Sequence, residues 1–337
     1  MKAYYKQKRL SEQVVVITGG SSGIGLATAK MAGSRGARLV ITSNNDTELE
    51  QARDLLDRAG YSVESRVADV SDYEALESVA ELAIERFGRI DTWINNAGIH
   101  TFGKLREMNE EDMRRVFDVN YWGAVYGSRI AARHLSGSGG TLINIGSVLS
   151  SRSIPLQGIY GASKHALEGY TDALRMELEK QQLPVIVTLI KPSSINTPIP
   201  AHSKNLMAER ARLPFPLYDP DVAADAILFC AENPRRSFII GGVGKLAVLG
   251  EKFVPSVVDK AMEWFAWDMQ KSRGEPRNED AIHEPLDQEP STHGEDSHYT
   301  KTFSLYNSAI KNPLVTTGLL TLASASVYYY LNADGEG

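Results

Sequence analysis

Short β-branched runs alternate with longer amphipathic stretches from Gln13 to about residue 250 of this 337-residue chain. Such alternation predicts βαβ units and therefore a parallel sheet. Continuous apolar runs such as VVVIT indicate strands that are covered on both faces. We predict an α/β fold with a doubly wound parallel sheet in one domain over 13–250. The predicted strands are 14–18, 38–42, 62–67, 91–95, 141–145, 185–191 and 238–240.

Four segments lie outside this domain. Residues 1–12 form a basic N-terminal segment without the apolar core of a secretory signal. Residues 251–273 predict an amphipathic helix, because their apolar positions recur at helical spacing. Residues 274–300 have the composition of an acidic linker, which has too few large apolar residues to fold alone. Residues 301–337 form a C-terminal tail. The apolar positions of the helix are Val254, Val258, Met262, Phe265 and Met269.

Charge and cysteine content exclude several classes of function. The formal net charge is −6 and the basic runs, such as Arg114 and Arg115, are short, so we interpret them as solvated surface and predict no nucleic-acid partner. The single cysteine, Cys230, lies in an apolar run and is predicted to be core. The histidines of the acidic segment are irregularly spaced, and no metal site is predicted.

A glycine-rich turn follows the first predicted strand directly. The run TGGSSGIG, from Thr18 to Gly25, leads into the helical stretch LATAKMAGSRG. Glycines allow a backbone to approach a pyrophosphate at a helix N-terminus, whose N–H groups and dipole favour negative charge. The strand–turn–helix context therefore indicates a dinucleotide site, although a glycine loop alone is weak evidence.

Further motifs follow the glycine loop in a fixed order. NNAG (95–98) comes after the fourth strand, VNYWGA contains Asn120, and INIGS ends the fifth strand at Ser147. Tyr160 and Lys164 are four residues apart in a predicted helix and therefore share a face. Together these motifs resemble the classical short-chain dehydrogenase/reductase family over about residues 10–245, and the resemblance implies the Rossmann fold.

The resemblance also implies the chemistry of the matching positions. Ser147 is expected to donate a hydrogen bond to the substrate oxygen, and Tyr160 to act as catalytic acid or base. Lys164 is expected to be the electrostatic partner of Tyr160 and a ribose ligand, and Asn120 to hold a water linked to Lys164. A free phenol has a pKa of about 10, and a neighbouring ammonium favours its ionised form. The implied reaction is hydride transfer between nicotinamide and a carbonyl or secondary alcohol.

The residues at the end of the second predicted strand indicate which dinucleotide binds. In the family an acid there binds the ribose of NAD, whereas Ser43 and Asn44 stand at this place. We interpret Asp46 as the cap of the helix that begins DTELE. NADP is therefore favoured, and NAD stays open because no arginine serves a 2′-phosphate. The implied cofactor-binding residues are Thr18, Gly19, Ser21, Ser22, Gly23, Ile24, Gly25, Ser43, Asn44, Asp69, Val70, Asn96, Ala97, Gly98, Tyr160, Lys164, Pro192, Ser194, Ile195 and Thr197.

The substrate pocket is expected to be mostly apolar, with a lid after the run KPSSINTPIP (191–200). Ser193 stands where the family commonly has glycine after the sixth strand. The expected lining is Ile99, His100, Phe102, Val148, Leu149, Ile154, Pro155 and Leu156.

Three functions are compatible with these motifs. We favour an NADP-dependent oxidoreductase acting on a hydrophobic, lipid-like or steroid-like, carbonyl or alcohol. The alternatives are a 3-oxoacyl-carrier-protein reductase, which the long extension disfavours, and a membrane-tethered scaffold that binds dinucleotide without turnover. The extension also resembles a bacterial subgroup of the family. A homodimer or homotetramer is expected through helices within 109–135 and 158–179.

The C-terminal tail contains an uncharged stretch over 313–331, which has about the length needed to span a bilayer as a helix. Lysines precede it and acidic residues follow it, as expected for a catalytic domain on the cytoplasmic side. We predict a transmembrane helix and a membrane-associated enzyme. The alternative is a helix that docks on the domain or on a second subunit.

Overall fold

A seven-stranded, all-parallel sheet forms the centre of the protein in a computed structural model that describes residues 6–276, 280–286, 288–295, 300–317, 321 and 324. Its strands are β1 (Val14–Thr18), β2 (Arg38–Ser43), β3 (Val63–Val67), β4 (Thr92–Asn95), β6 (Gly140–Ile145), β7 (Val185–Pro192) and β11 (Ser237–Ile240). The spatial order is β3-β2-β1-β4-β6-β7-β11. The direction of winding therefore reverses between β1 and β4, which is the switch point where doubly wound sheets bind ligands.

Alternate residues of the strands point to opposite faces of the sheet, and each face is buried. Val15 and Ile17 of β1 belong to one apolar cluster, whereas Val14 and Val16 belong to another. All five residues of β1 are buried. This two-sided burial explains why the strands are continuous apolar runs instead of alternating ones.

Helices cover both faces and connect the strands. They are α1 (Gly23–Ser34), α2 (Asp46–Arg58), α3 (Tyr73–Phe87), α4 (Glu110–Phe117), α5 (Ala124–Ser138), α6 (Gly158–Lys180), α7 (Ile199–His202) and α8 (Pro220–Glu232). Local sequence fixes several of their ends. Asp72 caps α3 by accepting from the N–H groups of Glu74 and Ala75, and Gly88 ends this helix with a left-handed φ of 74°.

The C-terminal third continues with α9 (Gly242–Phe253), α10 (Pro255–Ala261), a π-helical turn (Met262–Ala266), α11 (Trp267–Met269) and α12 (Leu305–Lys311). Three two-residue ladders tie distant segments together. They are β5 (Thr101–Phe102) with β8 (Lys204–Asn205), β9 (Arg210–Ala211) with β12 (Lys271–Ser272), and β10 (Leu217–Tyr218) with β13 (Thr300–Lys301). Within the described residues, no helix combines the length and the apolar character that crossing a membrane requires. Most of 313–331 lies outside those residues.

The predicted fold is confirmed, and each predicted strand corresponds to one strand of the sheet. The predicted cap of α2 is wrong by one residue. Asn45, not Asp46, is the cap, because its side-chain oxygen accepts from the Glu48 N–H at 3.1 Å. Asp46 is the first helical residue.

Candidate active site

A cavity of about 610 Å³ opens at the carboxyl ends of the parallel strands. The end of β2, the turns after β3, β4 and β6, and the end of β7 all contribute to its lining. These segments meet at one edge because parallel strands all point the same way. The glycine loop lines one region of the cavity, and Ser147 and Tyr160 line another.

The glycine loop is held in a conformation that side chains would prevent. Gly19 and Gly23 have left-handed φ angles of 62° and 53°. A Cβ on Gly25 would come within 1.9 Å of the Gly19 carbonyl oxygen, so α1 can start this close to the loop only with glycine there. Asn96 braces the loop from the next motif, because its amide donates to the carbonyls of Thr18 and Gly19 at 2.9 and 3.0 Å.

The residues around this loop fit a dinucleotide. Thr197 lies against Gly23, within 3.4 Å of where a Cβ would stand. Its hydroxyl is buried and has no hydrogen-bond partner among the described residues. A buried hydroxyl without a partner is costly, and a phosphate or amide in the cavity would satisfy it.

The end of β2 presents polar groups to the cavity, with one carboxylate nearby. Ser43 and Asn44 line the cavity as predicted. Glu48 also lines it, although the sequence analysis did not single it out, and this buried carboxylate accepts from the Ser21 hydroxyl at 2.5 Å. From sequence alone, an acid in the first turn of a helix is explained by its favourable interaction with the helix dipole. The local sequence therefore did not indicate that Glu48 lines the cavity.

Asp69 and Val70 follow β3 and line the cavity as predicted. Asp69 is bound by Arg115, whose guanidinium lies 2.5 Å from its carboxylate and 2.8 Å from the Ser71 hydroxyl. Burial opposes ionisation of Asp69, but hydrogen bonds from Ser71 and Arg115 outweigh it and hold its pKa below the ordinary value. The interpretation of Arg115 as solvated surface is therefore wrong.

Tyr160 and Ser147 are brought together by α6 and the end of β6. Burial raises the pKa of Tyr160 to about 12, and a hydrogen bond with Ser147 opposes part of this rise. The phenol is therefore protonated across the physiological range. The neighbouring ammonium favours the ionised form, but it does not outweigh desolvation here.

Lys164 lies one turn along α6, with its ammonium 5.7 Å from the centre of the Tyr160 ring. It donates to the Ile145 carbonyl at 2.9 Å and is 4% exposed. Burial lowers the pKa of Lys164 to about 8. The ammonium therefore begins to lose its proton close to neutral pH, and a nearby anion would stabilise its charged form.

Asn120 lies in a π-helical turn, Asp118–Gly123, between α4 and α5. Its amide accepts from the Ile99 N–H at 2.8 Å and donates to the Ile99 carbonyl at 2.9 Å. The same amide lies 3.2 Å from the Ser163 hydroxyl on α6. Asn120 thus fixes the strand-end loop that follows NNAG against the helix that carries Tyr160 and Lys164.

A chain of buried amides fixes the protonation of His100, which stacks on Tyr160 with ring centres 4.2 Å apart. Gln270 donates to two backbone carbonyls, so its oxygen faces the Gln157 amide nitrogen at 2.6 Å. The Gln157 oxygen therefore faces His100 Nε2 at 2.8 Å. Because this oxygen can only accept a hydrogen bond, His100 Nε2 must carry the proton. Burial lowers the pKa of His100 to about 4, so the ring is neutral.

The structure brings most of the predicted site residues to the cavity wall. Thr18, Gly25 and Asn120 instead stand behind it and support residues that line it. Among the predicted substrate contacts, Phe102 is wrong because it packs behind His100, with ring centres 4.4 Å apart. Pro155 and Leu156 also do not line the cavity. Ile99, His100, Val148, Leu149 and Ile154 do.

The remaining wall of the cavity is largely apolar and comes from segments far along the chain. Ser193, which stands where the family commonly has glycine, donates its hydroxyl to the Ile240 carbonyl at 2.6 Å and so ties this wall to β11. The added apolar lining residues are Leu213, Pro214, Phe215, Val243, Ala247, Met262, Phe265, Ala266 and Met269.

Comparisons with known proteins agree with this geometry. The profile of the family described as short chain dehydrogenase matches residues 13–207. A Bacillus subtilis (strain 168) protein named "Uncharacterized oxidoreductase YxnA" is 41% identical over 337 residues, covering 96% of this chain and 94% of the relative.

Two solved structures are similar in fold. A short chain dehydrogenase/reductase from Burkholderia phymatum in complex with NAD has a TM-score of 0.66 and 26% identity, covering 76% of this chain and 96% of its own. An alcohol dehydrogenase from the archaeon Thermococcus sibiricus complexed with 5-hydroxy-NADP has a TM-score of 0.59 and 27% identity, covering 67% and 94%.

Proposed function

Because the chain belongs to the short-chain dehydrogenase family and is an NAD(P)-dependent oxidoreductase, we propose that it interconverts a ketone and a secondary alcohol on a hydrophobic molecule. One observation carries this proposal. A single cavity is lined by the glycine loop, by Ser147 and Tyr160, and by an apolar wall.

A bound nicotinamide dinucleotide supplies the hydride in the reductive direction. The glycine loop, Asp69 with Val70, and the segment 192–197 are the parts of the chain that would hold it. The first turn of α1 offers N–H donors to a pyrophosphate. Lys164 and Thr197 offer a charge and a hydroxyl that the protein alone leaves incompletely satisfied.

Tyr160 acts as the general acid when the carbonyl is reduced. Its phenol is protonated at neutral pH and its hydroxyl shares a hydrogen bond with Ser147, so both groups can converge on one substrate oxygen. Tyr160 gives its proton to the developing alkoxide, and Ser147 donates a hydrogen bond to the same oxygen. The positive charge of Lys164 stabilises the resulting phenolate.

In the oxidative direction Tyr160 must lose its proton before it can accept one from the alcohol. A pKa of about 12 makes this costly at neutral pH, so the charge of Lys164 and of the bound oxidised cofactor must offset the cost. The protonated phenol is already the form that donates a proton in carbonyl reduction. We therefore propose reduction as the direction that this site performs more readily.

The apolar wall supports a lipid-like or steroid-like substrate. His100 is neutral and the added wall from 213–216 and 243–269 is mostly aliphatic or aromatic, so a charged or strongly polar ligand would be poorly solvated there. A 3-oxoacyl thioester is the alternative substrate. A panel of steroids, long-chain ketones, aldehydes and acyl thioesters, followed by NADPH and NADH absorbance, separates the two, and turnover of none of them favours the non-catalytic scaffold.

For the cofactor, we propose a preference for NADP(H), supported by the absence of an acid at the end of β2, where Ser43 and Asn44 stand. One observation favours NAD(H) as the second candidate: the buried Glu48 carboxylate lines the same cavity and would repel a nearby 2′-phosphate. Titration of both reduced dinucleotides into the wild type and Glu48→Gln distinguishes them. A wild type that binds NADH tenfold more tightly, and a Glu48→Gln that reverses this, would establish the second candidate.

We also propose that 313–331 attaches the enzyme to a membrane, with the catalytic domain on the cytoplasmic side. The support is its uncharged sequence, together with exposed apolar side chains on helices that also line the cavity. Fractionation of the full chain and of a version ending at residue 297 tests it, and equal solubility of both without detergent rejects it. The exposed residues are Leu246, Phe253, Val257 and Trp264.

We propose a homodimer or homotetramer through α4, α5 and α6. Trp122 and Met176, which lie in or beside these helices, are 45% and 57% exposed, so this face presents large apolar groups to solvent in the single chain. Light scattering coupled to size-exclusion chromatography measures the assembly. A monomer at micromolar concentration would reject this proposal.

A further inference from the structure

Residues 280–286 and 288–295 contact the segments that surround the cavity, and we call these two stretches the C-terminal strap. Ala281, Pro285 and Leu286 from the strap are part of the cavity lining. The composition of these residues, with few large apolar groups, predicts an acidic linker. Polar contacts with the domain, not a core of their own, hold the strap in place.

The first group of contacts lies beside Asp69. Arg115, which binds Asp69, also donates from Nε to the Ile282 carbonyl at 3.1 Å. Ile282 is 1% exposed. His283 Nε2 lies 2.8 Å from the Asp112 carboxylate on α4. The strap is therefore fastened to α4, the helix that follows β4.

The second group lies on the other side of the switch point, at β2 and the glycine loop. Asn45 donates from its side chain to the Leu286 carbonyl at 2.7 Å. The Gly23 N–H, the first donor of α1, gives its hydrogen bond to the Ser291 carbonyl at 2.8 Å. The strap thus touches the phosphate-binding loop itself and satisfies a donor that a helix N-terminus otherwise leaves open.

The third group fastens the end of the strap to the segment after β7. The Gly294 N–H donates to the Asn196 carbonyl at 3.2 Å, and His293 Nε2 lies 3.0 Å from the Asp219 carboxylate. Gly294 packs so closely that a Cβ there would stand 2.5 Å from the Thr197 carbonyl oxygen. Only glycine allows this approach.

From these contacts we propose that the C-terminal strap is the outer wall of the dinucleotide site and controls how fast the cofactor leaves it. This inference rests on the proposed function. The cavity keeps a volume of about 610 Å³ with the strap in place, which is within the range of ligand pockets. A dinucleotide can therefore lie between the sheet edge and the strap, which bridges both sides of the switch point.

Two consequences follow for binding. The strap must detach from at least one of its three contact groups before a dinucleotide can enter or leave, so both rates are slower than in an open cleft. Because Ser291 already occupies the Gly23 N–H, the following donors in the first turn of α1 are the ones left for the pyrophosphate.

The test measures release of NADPH from the full-length protein in a stopped-flow fluorimeter, with excess NADP⁺ as competitor. NADH with NAD⁺ is used in parallel. Gly294→Ala should release the reduced dinucleotide at least tenfold faster, because its methyl group cannot fit against Thr197. Gly169→Ala is the matched control, since Gly169 is exposed on α6 with open space around it, and its release rate should stay within twofold of the wild type.

A second variant guards against misfolding of the first. His283→Ala combined with His293→Ala removes two side-chain contacts at the surface of the strap and should speed release about fivefold. Hydrogen–deuterium exchange over 280–295 provides a readout without turnover, and bound NADPH should slow exchange there in the wild type.

The outcomes separate the two proposals. A wild type that binds NADPH or NADH, with release unchanged in both strap variants and exchange unchanged over 280–295, would overturn the outer-wall inference and leave the proposed function intact. A wild type that binds neither dinucleotide would overturn the proposed function and the inference with it.

Discussion

Replacement of Gln270 by methionine tests the chain of amides that ends at His100. Methionine is similar in size to glutamine but neither donates nor accepts strong hydrogen bonds. The change removes donors to the Pro155 and Ala266 carbonyls at 2.9 and 2.8 Å, and it removes the acceptor for the Gln157 amide at 2.6 Å. Gln270 is 0% exposed, so water cannot replace its side chain directly.

The expected loss in free energy of unfolding depends on how many buried groups lose their hydrogen-bond partner. A buried donor or acceptor left unsatisfied costs about 1–3 kcal/mol. Two of the three bonds are fully buried, and the bond to Pro155 is only partly buried. We therefore expect Gln270→Met to lower the free energy of unfolding by roughly 2–6 kcal/mol.

Urea denaturation followed by tryptophan fluorescence measures this loss, provided that the slope against urea stays the same in both proteins. Gln51→Met is the control, because Gln51 is exposed on α2 and its replacement should change the free energy of unfolding by less than about 0.5 kcal/mol. Nitrogen-15 chemical shifts of His100 provide a second readout. Without the chain of amides, the ring should no longer be held in the Nε2–H tautomer.

A loss below about 1 kcal/mol with an unchanged His100 tautomer would refute this reasoning. It would mean that the amides find other partners, and that neither the stability of the apolar wall nor the protonation of His100 depends on Gln270.

Three further predictions concern the catalytic and cofactor residues. Tyr160→Phe should lower kcat about 10²–10⁴-fold with little change in dinucleotide affinity by fluorescence titration, and near-wild-type kcat on an identified substrate would contradict the role of Tyr160. Lys164 has a folded pKa of about 8, below its ordinary 10.5. The unfolded state therefore binds more protons between these values. The free energy of unfolding of the wild type should rise by about 3 kcal/mol relative to that of Lys164→Met as the pH goes from 8 to 10.5. A difference in free energy of unfolding that does not change with pH would contradict the burial argument. Ser43→Asp should shift the affinity ratio toward NAD(H) at least tenfold, about 1.4 kcal/mol, and an unchanged ratio would place the 2′-position elsewhere.

Periodicity and motif order were sufficient to predict the sheet and the core of the site. Residues such as Val14 and Val15 belong to a strand buried on both faces, and this burial is written directly in the sequence as a continuous apolar run. Ser147, Tyr160 and Lys164 follow strand ends and helix spacing, so their convergence needs only the parallel topology.

Contacts between segments far apart in the chain could not be predicted in the same way. Arg115 and Gln270 resemble ordinary surface residues of polar stretches, and only the fold brings the first to Asp69 and the second to Gln157. The strap is the strongest case, because composition reports what a segment can bury by itself and says nothing of carbonyls such as that of Ser291, which any residue type would supply.

The π-helical turn at Asp118–Gly123 determines how α5 is rotated relative to α4. A wider turn places one residue more between Asn120 and the start of α5 than a regular helix would. If the same six residues formed a regular helix instead, everything beyond them would be rotated by about 100° around the helix axis. Gly123, where a Cβ would stand 2.6 Å from Val70, would then be replaced at that contact by a larger neighbour. The turn therefore sets the rotation of α5 relative to α4, and its conversion to a regular helix would displace the Val70 side of the cavity together with the Ile99 loop.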